Sequence, residues 1–258
     1  MKHSFLDKYS DGNSFLHRLD ARTKFIFVLL FIITITMTPP GSWYAFIVYF
    51  AIIAGLTIAA RLPVAYVFKR SLAVMPFVLM IALFIPFYKT GEVVGSYNIW
   101  LWKINVTYSG IQVFLNILVK AWLSILSLIW LTSTTKLTHL LYALERLHFP
   151  HVLVMILSFM YRYIFVIVDE VMRMKQARDS RNIGGKRLLQ LRTVGNMIGT
   201  LFIRSYERSE RVYTAMVSRG FNGQVRIIDP LCFKKADIFF GTCAGVALVA
   251  VSIVNLLI

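Results

Sequence analysis

The sequence predicts an all-α integral membrane protein with about five transmembrane helices and a set of amphipathic helices at the cytoplasmic face. Three observations predict it. Hydrophobic residues make up 58% of the chain and charged residues only 16%, whereas a soluble chain is about half apolar and about a quarter charged. The apolar excess lies in long uninterrupted runs, not in a period of a strand or an amphipathic helix. The formal net charge of +16 sits mostly between those runs, where it sets topology and meets anionic lipid or an acidic partner. That placement argues against nucleic acid as a partner.

Four runs come first, at 24–38, 43–60, 71–88 and 111–132, and a last one at 238–258. Each approaches the ~20 residues a helix needs to cross hydrocarbon, the first being short. Pro39-Pro40-Gly41 predicts a tight hairpin, because proline cannot continue a helix and glycine permits the turn. Pro76 and Pro86 are expected to kink the third span. Cys232 and Cys243 match no metal or redox spacing, and no cleavable signal is expected before the first run.

Basic residues orient the spans. Arg18, Arg22 and Lys24 stand at the start of the first; Arg61, Lys69 and Arg70 follow the second; Lys136 and Arg146 follow the fourth. The first hairpin has no basic residue, and the loop at 89–110 has only Lys89 and Lys103 against Glu92. The positive-inside rule then puts the N-terminus and the loops after spans two and four in the cytoplasm. The run 152–168 tests this scheme. Its central Arg162 would cost ~2.5–3.5 kcal/mol on insertion scales, and basic residues flank it on both sides. It is read as a helix on or under the cytoplasmic face, which leaves five spans and the C-terminus outside.

Residues 135–235 differ from the rest. Leu137, Leu140, Leu141, Leu144 and Leu147 recur at helical spacing opposite Glu145 and Arg146, and Pro150 ends the pattern. This short amphipathic helix suits the interface, or simply closes the bundle. A long helix is expected from His151 to about Asn182, apolar and then charged. After the breaker Gly184-Gly185, another runs from Lys186 to about Arg219, with Glu207 and Arg211 in the favourable order four apart.

These helices end alike, in Ser180-Arg181-Asn182 and Ser218-Arg219-Gly220. Asn and Gly suit the left-handed residue just past a helix end. A small residue, an arginine and a stop would project a guanidinium from a rigid tip into an acidic groove of another protein. Arginine near a helix C-terminus also offsets the dipole, so one tripeptide alone has a purely structural account. Two of them, closing twin helices on one face, favour docking. Gly195 and Gly199 form a small-xxx-small pair that would let another helix, such as that at 151–182, cross closely.

On these residues the sequence resembles the T components of energy-coupling factor transporters, in particular the CbiQ-like branch of cobalt and nickel importers, over nearly the whole chain. Leu19-Asp20-Ala21-Arg22-Thr23-Lys24 is similar to that family's Asp-Pro-Arg-x-Lys opening, with alanine for proline. Met75-Pro76-Phe77 through Pro86-Phe87 resembles its third span. The two Ala-Arg-Gly signatures fall on 180–182 and 218–220, with serine for alanine twice and asparagine for glycine once; Ala177-Arg178-Asp179 is a competing register for the first. The resemblance implies two cytoplasmic ATP-binding cassette ATPases, each receiving one helix tip, and a separate substrate-binding membrane subunit (an S component). This chain would join them in the cytoplasmic (inner) membrane and transmit ATPase closure. It also implies three parts: spans at 1–134, coupling helices at 135–235 and a last span at 236–258.

No Walker-type Gly-x-x-x-x-Gly-Lys-[Ser/Thr] occurs, so ATP hydrolysis and a bound cofactor are not expected of this chain. Among His3, His17, His139, His148 and His151, only the last two are close, and Pro150 between them argues against a metal site. Asp and Glu are missing from the five runs, which argues against an ion relay. The alternatives are a membrane enzyme acting on lipid-linked phosphates, with Asp169 and Glu170 as its only adjacent acids, and a self-sufficient secondary transporter. Ion pairing of that acidic pair with Arg173 speaks against the first. Uncharged spans and the lack of two similar halves speak against the second.

Overall fold

The computed structural model describes residues 12, 14–85, 93–99, 102–181, 187–223 and 234–257. In chain order the elements are α1 (Ala21–Met37), α2 (Trp43–Ala59), α3 (Val64–Ala82), β1 (Val93–Ile99), β2 (Trp102–Thr107), α4 (Tyr108–Thr134), α5 (Leu137–Arg146), α6 (His151–Arg181), α7 (Arg187–Val217) and α8 (Lys235–Leu257). They divide into two compact units, one of residues 2–143 with 231–258 and one of residues 144–230. Four described helices are long and apolar enough to cross a membrane: Val64–Ala82, Ser109–Thr134, His151–Arg181 and Lys235–Asn255. The first two predicted spans are helices of 17 residues each. At 1.5 Å per residue each reaches only about 25 Å of the ~30 Å hydrocarbon layer.

In the first unit α4 is the post against which α1, α2 and α3 pack, and α8 packs on α1 and α2. The core is aromatic. Phe27 meets Trp130 and Phe240 edge-on at 6.0 and 5.6 Å, Trp130 stacks on Phe240 at 6.5 Å, and Phe31 meets Tyr49 at 5.6 Å. Each ring's polar group is anchored, with Trp130 Nε1 donating to the Leu56 carbonyl at 3.3 Å and Tyr49 sharing a 3.4 Å bond with Thr38. Outward faces are apolar instead of charged: Phe77, Ile81, Phe239 and Val246 are all more than 60% exposed. Such surface is a liability in water and the required one against lipid tails.

Polar groups at the helix ends are joined across the bundle. Asp20 caps α1 by accepting from Arg22 N at 2.9 Å, while its own N–H donates to Asp237 Oδ1 at 2.7 Å. Asp237 Oδ2 accepts from Lys234 N at 2.7 Å, closing the first turn of α8. Lys24, 1% exposed, donates to the Thr134 carbonyl at the C-terminus of α4 at 3.0 Å and to His17 O at 3.2 Å. Lys120 of α4 donates to Thr36 O and Thr38 O at the C-terminus of α1, at 2.9 and 2.7 Å. Each lysine thus supplies donors to the terminal carbonyls of the other's helix, which no intrahelical N–H reaches.

Several expectations are corrected here. Lys120 lies inside the fourth run and Lys24 opens the first, so the spans carry charge; both are spent on helix ends. The third helix starts at Val64 behind Pro63, whose fixed φ suits a helix start, so Lys69 and Arg70 lie within it. Pro76 lies inside that helix, and Pro86 falls outside the described residues. The loop at 89–110 contains an antiparallel hairpin, Val93↔Thr107 to Ile99↔Trp102, with a register shift between Val93 and Gly95. The predicted turn at 39–41 is present, with Gly41 at φ 107°. In α5, Leu141, Tyr142 and Ala143 are buried and Leu140 packs on the core, as a helix closing the bundle would.

Lys120→Met is expected to leave the carbonyls of Thr36 and Thr38 without their donor, at a cost of about 1–3 kcal/mol. A thermal unfolding curve of the solubilised chain reads this as a lower midpoint; an unchanged midpoint would show that the bond carries no stability.

Candidate functional site

The unit of residues 144–230 is built on α6 and α7. The chain enters through a left-handed turn at the end of α5, where His148 takes φ 62° and Phe149 N bonds Leu144 O at 3.2 Å. Pro150 then starts α6. His151, at its first position, stands with Nδ1 3.2 Å from the Glu145 carboxylate and Nε2 2.9 Å from the Gly223 carbonyl. The start of α6 is therefore tied to the chain just beyond α7.

Further along, Phe159 meets Phe221 edge-on at 6.5 Å, and Glu170 accepts a 2.5 Å bond from Arg204. Contacts 151–223, 159–221 and 170–204 define an antiparallel pair. Apolar residues on the facing sides, including Phe159, Met160, Tyr163, Val212, Tyr213 and Met216, wall a cleft along it. Such a pair carries little burial of its own, for Val154 is the only buried residue of α6.

The two tripeptides close these helices in related ways. Ser180 Oγ donates to Gln176 O and Ser218 Oγ to Thr214 O, each four residues back at 2.9 Å, so neither hydroxyl competes for the arginine beside it. At the second site the backbone makes the paired bonds of a glycine stop: Phe221 N to Met216 O at 3.0 Å and Gly220 N to Val217 O at 2.9 Å, with Gly220 at φ 78°. Arg219 is thereby the last residue before the reversal. At the first site Arg181 ends α6, and Asn182 lies outside the described residues, as do Gly184 and Gly185. Arg181 and Arg219 are both exposed. Arg178, the arginine of the competing register, is engaged by Asp179 at 2.7 Å.

The antiparallel pairing sets the two tips at opposite ends of the pair. Eleven residues carry α6 past Glu170 to Arg181, and fifteen carry α7 past Arg204 to Arg219 in the opposite direction. At 1.5 Å per residue the two guanidinium-bearing ends stand about 40 Å apart along the pair. Gly195 and Gly199 are exposed, and a Cβ on either would meet nothing within 4 Å, so α6 does not cross α7 there. Glu170 pairs with Arg204 of the neighbouring helix and not with Arg173. The expected Glu207–Arg211 pair forms at 3.7 Å. The ties His151–Gly223 and Glu170–Arg204 join residues 72 and 34 apart, and no spacing in the sequence signals them.

The family described as CbiQ, cobalt transport protein, matches residues 12–227. Among curated relatives, the energy-coupling factor transporter transmembrane protein EcfT of Brevibacillus brevis is 28% identical over 97% of this chain and 96% of its own length. The EcfT protein of Ruminiclostridium cellulolyticum is 27% identical over 84% of each chain. An uncharacterized protein of Methanocaldococcus jannaschii is 25% identical over 92% of this chain and 81% of its own.

Gly220→Val is expected to strain the end of α7 by about 1–2 kcal/mol, because a β-branched residue resists positive φ. Hydrogen exchange should then accelerate at residues 216–221 and stay unchanged around Trp130. Protection retained at 220 and 221 would refute the glycine stop.

Proposed function

The chain belongs to the CbiQ family of cobalt transport proteins, and we propose that it is the transmembrane coupling (T) subunit of an ATP-driven energy-coupling factor importer for cobalt or nickel. The chemistry of such a subunit is mechanical. Two ATP-binding cassette ATPases hydrolyse ATP, a separate membrane subunit holds the substrate, and this chain transmits the closure of the first to the second without itself catalysing a reaction. The single observation that carries the reading is the antiparallel α6–α7 pair, which presents Arg181 and Arg219 at opposite ends. Two exposed guanidinium groups about 40 Å apart on stiff helices suit two separate acidic seats, one per ATPase, better than a single one. Ser180, Ser218 and Gly220 shape those tips, and Asn182 follows Arg181 in the sequence. The acidic pair that a lipid-phosphate enzyme would need is instead divided, with Glu170 committed to Arg204.

Parity supports one topology over the other. The Lys24–Thr134 and Asp20–Asp237 bonds bring the start of α1, the end of α4 and the start of α8 to one end of the first unit. The segment between α4 and α8 thus leaves and returns on the same side, so one crossing by α6 would need a second by α7. Helix α7, though 31 residues long, is not among the helices apolar enough to cross. This supports α6 and α7 lying at the cytoplasmic side, where the basic residues gather, with the N-terminus there and the C-terminus across the membrane. The division into spans at 1–134, coupling helices at 135–235 and a last span at 236–258 follows the same logic.

Arg181→Glu and Arg219→Glu should each leave membrane insertion intact and weaken ATPase attachment about tenfold or more, the double change more than either. Co-purification of the ATPases with tagged subunit reads this, and full assembly and uptake in both single variants would defeat the docking role. In a background of Cys232→Ser and Cys243→Ser, a membrane-impermeant maleimide should label Ser180→Cys, Ser218→Cys and Ser14→Cys from one side only. Labelling of position 180 from the side opposite position 14 would overturn the topology.

A further inference from the structure

A second feature, independent of coupling, lies at the basic end of the first unit. A cleft of about 310 Å³ opens there, walled by His17, Arg18, Lys24, Thr135, Lys136 and His139. Three formal cations and two imidazoles line it, and among the described residues no carboxylate does. Two helix N-termini converge on it, since Ala21 is the first residue of α1 and Lys136 directly precedes α5. The N-terminus of α5 points its positive end at this space, while that of α1 is already capped by the Asp20 carboxylate. Lys24 is 1% exposed, and two of its three N–H donors go to His17 O and Thr134 O; no third acceptor is bonded among the described residues. The Thr135 hydroxyl is buried without a hydrogen-bond partner in the wall of the same cleft. Ser14 Oγ bonds His17 Nδ1 at 2.7 Å and steadies that ring.

Asp237 and Asp20 act on Lys24 from behind, so the net positive field at the cleft comes from Arg18 and Lys136. Asp237 accepts from Asp20 N and Lys234 N, and Asp20 Oδ1 from Arg22 N, so both carboxylates are tied to backbone behind Lys24. The surplus of positive charge faces outward through Arg18 and Lys136, both exposed. A buried ammonium, an unpartnered hydroxyl, the N-terminus of α5 and two exposed cations form a site for a tetrahedral oxyanion, whose several oxygens can take several donors at once.

We propose that this cleft binds a phosphate group, supplied by the headgroup of an anionic lipid or by a soluble phosphate compound. A basic pocket between helix ends at the membrane surface suits a headgroup, to which each Lys or Arg contributes about 1 kcal/mol. The full-length subunit, solubilised with its ATPases, would be equilibrated with phosphatidylglycerol or with phosphatidylcholine and the retained lipid counted by native mass spectrometry. In parallel, millimolar inorganic phosphate would be tested for a shift in thermal midpoint. The variants are Arg18→Gln with Lys136→Gln, Thr135→Val alone, and a charge-matched control, Lys69→Gln with Arg70→Gln on α3.

Phosphatidylglycerol retention that falls about tenfold or more in the Arg18/Lys136 variant, falls in Thr135→Val and holds in the control assigns the site to a lipid headgroup. No selective retention, but stabilisation by inorganic phosphate that the same variants abolish, assigns it to a soluble phosphate. Equal behaviour of wild type, both cleft variants and control in both measurements overturns the proposal. Because the ATPases co-purify in every case, loss of the anion site is distinguishable from loss of coupling.

Discussion

The helix unit depends on a reciprocal exchange between two lysines. Lys24 near the start of α1 donates to the last carbonyl of α4, and Lys120 within α4 donates to two carbonyls at the end of α1. In hydrocarbon a terminal carbonyl without a donor costs several kcal/mol, because no water replaces the missing N–H. These three bonds serve carbonyls at both helix ends and, lying twelve to fourteen residues from the partner lysine on α1 and fourteen on α4, fix the antiparallel register of the two helices. Sliding by one turn would strand both ammonium groups among apolar rings. The Asp20–Asp237 bond then hangs α8 on the same frame, and the aromatic core of Phe27, Trp130 and Phe240 closes around it.

The unit of residues 144–230 is held differently, and its described ties across α6 and α7 include the Glu170–Arg204 bridge, the His151 ring against Gly223 and the edge-on contact between Phe159 and Phe221. Leu191, Ile198, Phe202 and Tyr213 stay more than half exposed on α7. Two long helices with so little mutual burial draw most of their stability from what surrounds them, as expected of an element whose work is to meet other subunits. A rigid membrane frame and a loosely tied pair of rods belong together in a subunit that passes on movement. The frame resists it and the rods accept it.

The sequence made these two regimes legible to different degrees. The ends of α6 and α7 came within two residues of expectation, because a proline, a glycine pair and a glycine stop punctuate them. The left-handed Gly220 was legible for the same reason. What escaped were contacts made by folding: the Arg204 partner of Glu170, the tie from His151, and the opposite placement of the tips, none of which periodicity along one chain can encode. Lys120 escaped because a lone lysine in an apolar run reads as an anomaly until the helix end it serves is known. The Gly195–Gly199 pair shows the converse, a familiar pattern whose expected intramolecular partner is elsewhere.

The antiparallel rods also form a lever with unequal arms. Measured from the Glu170–Arg204 contact, the arm to Arg181 is about 17 Å and that to Arg219 about 23 Å. Equal displacements at the two ends turn the shorter arm through the larger angle, and equal forces give the longer arm the larger torque. An equal displacement applied at either tip would therefore turn the pair about that contact by a different angle.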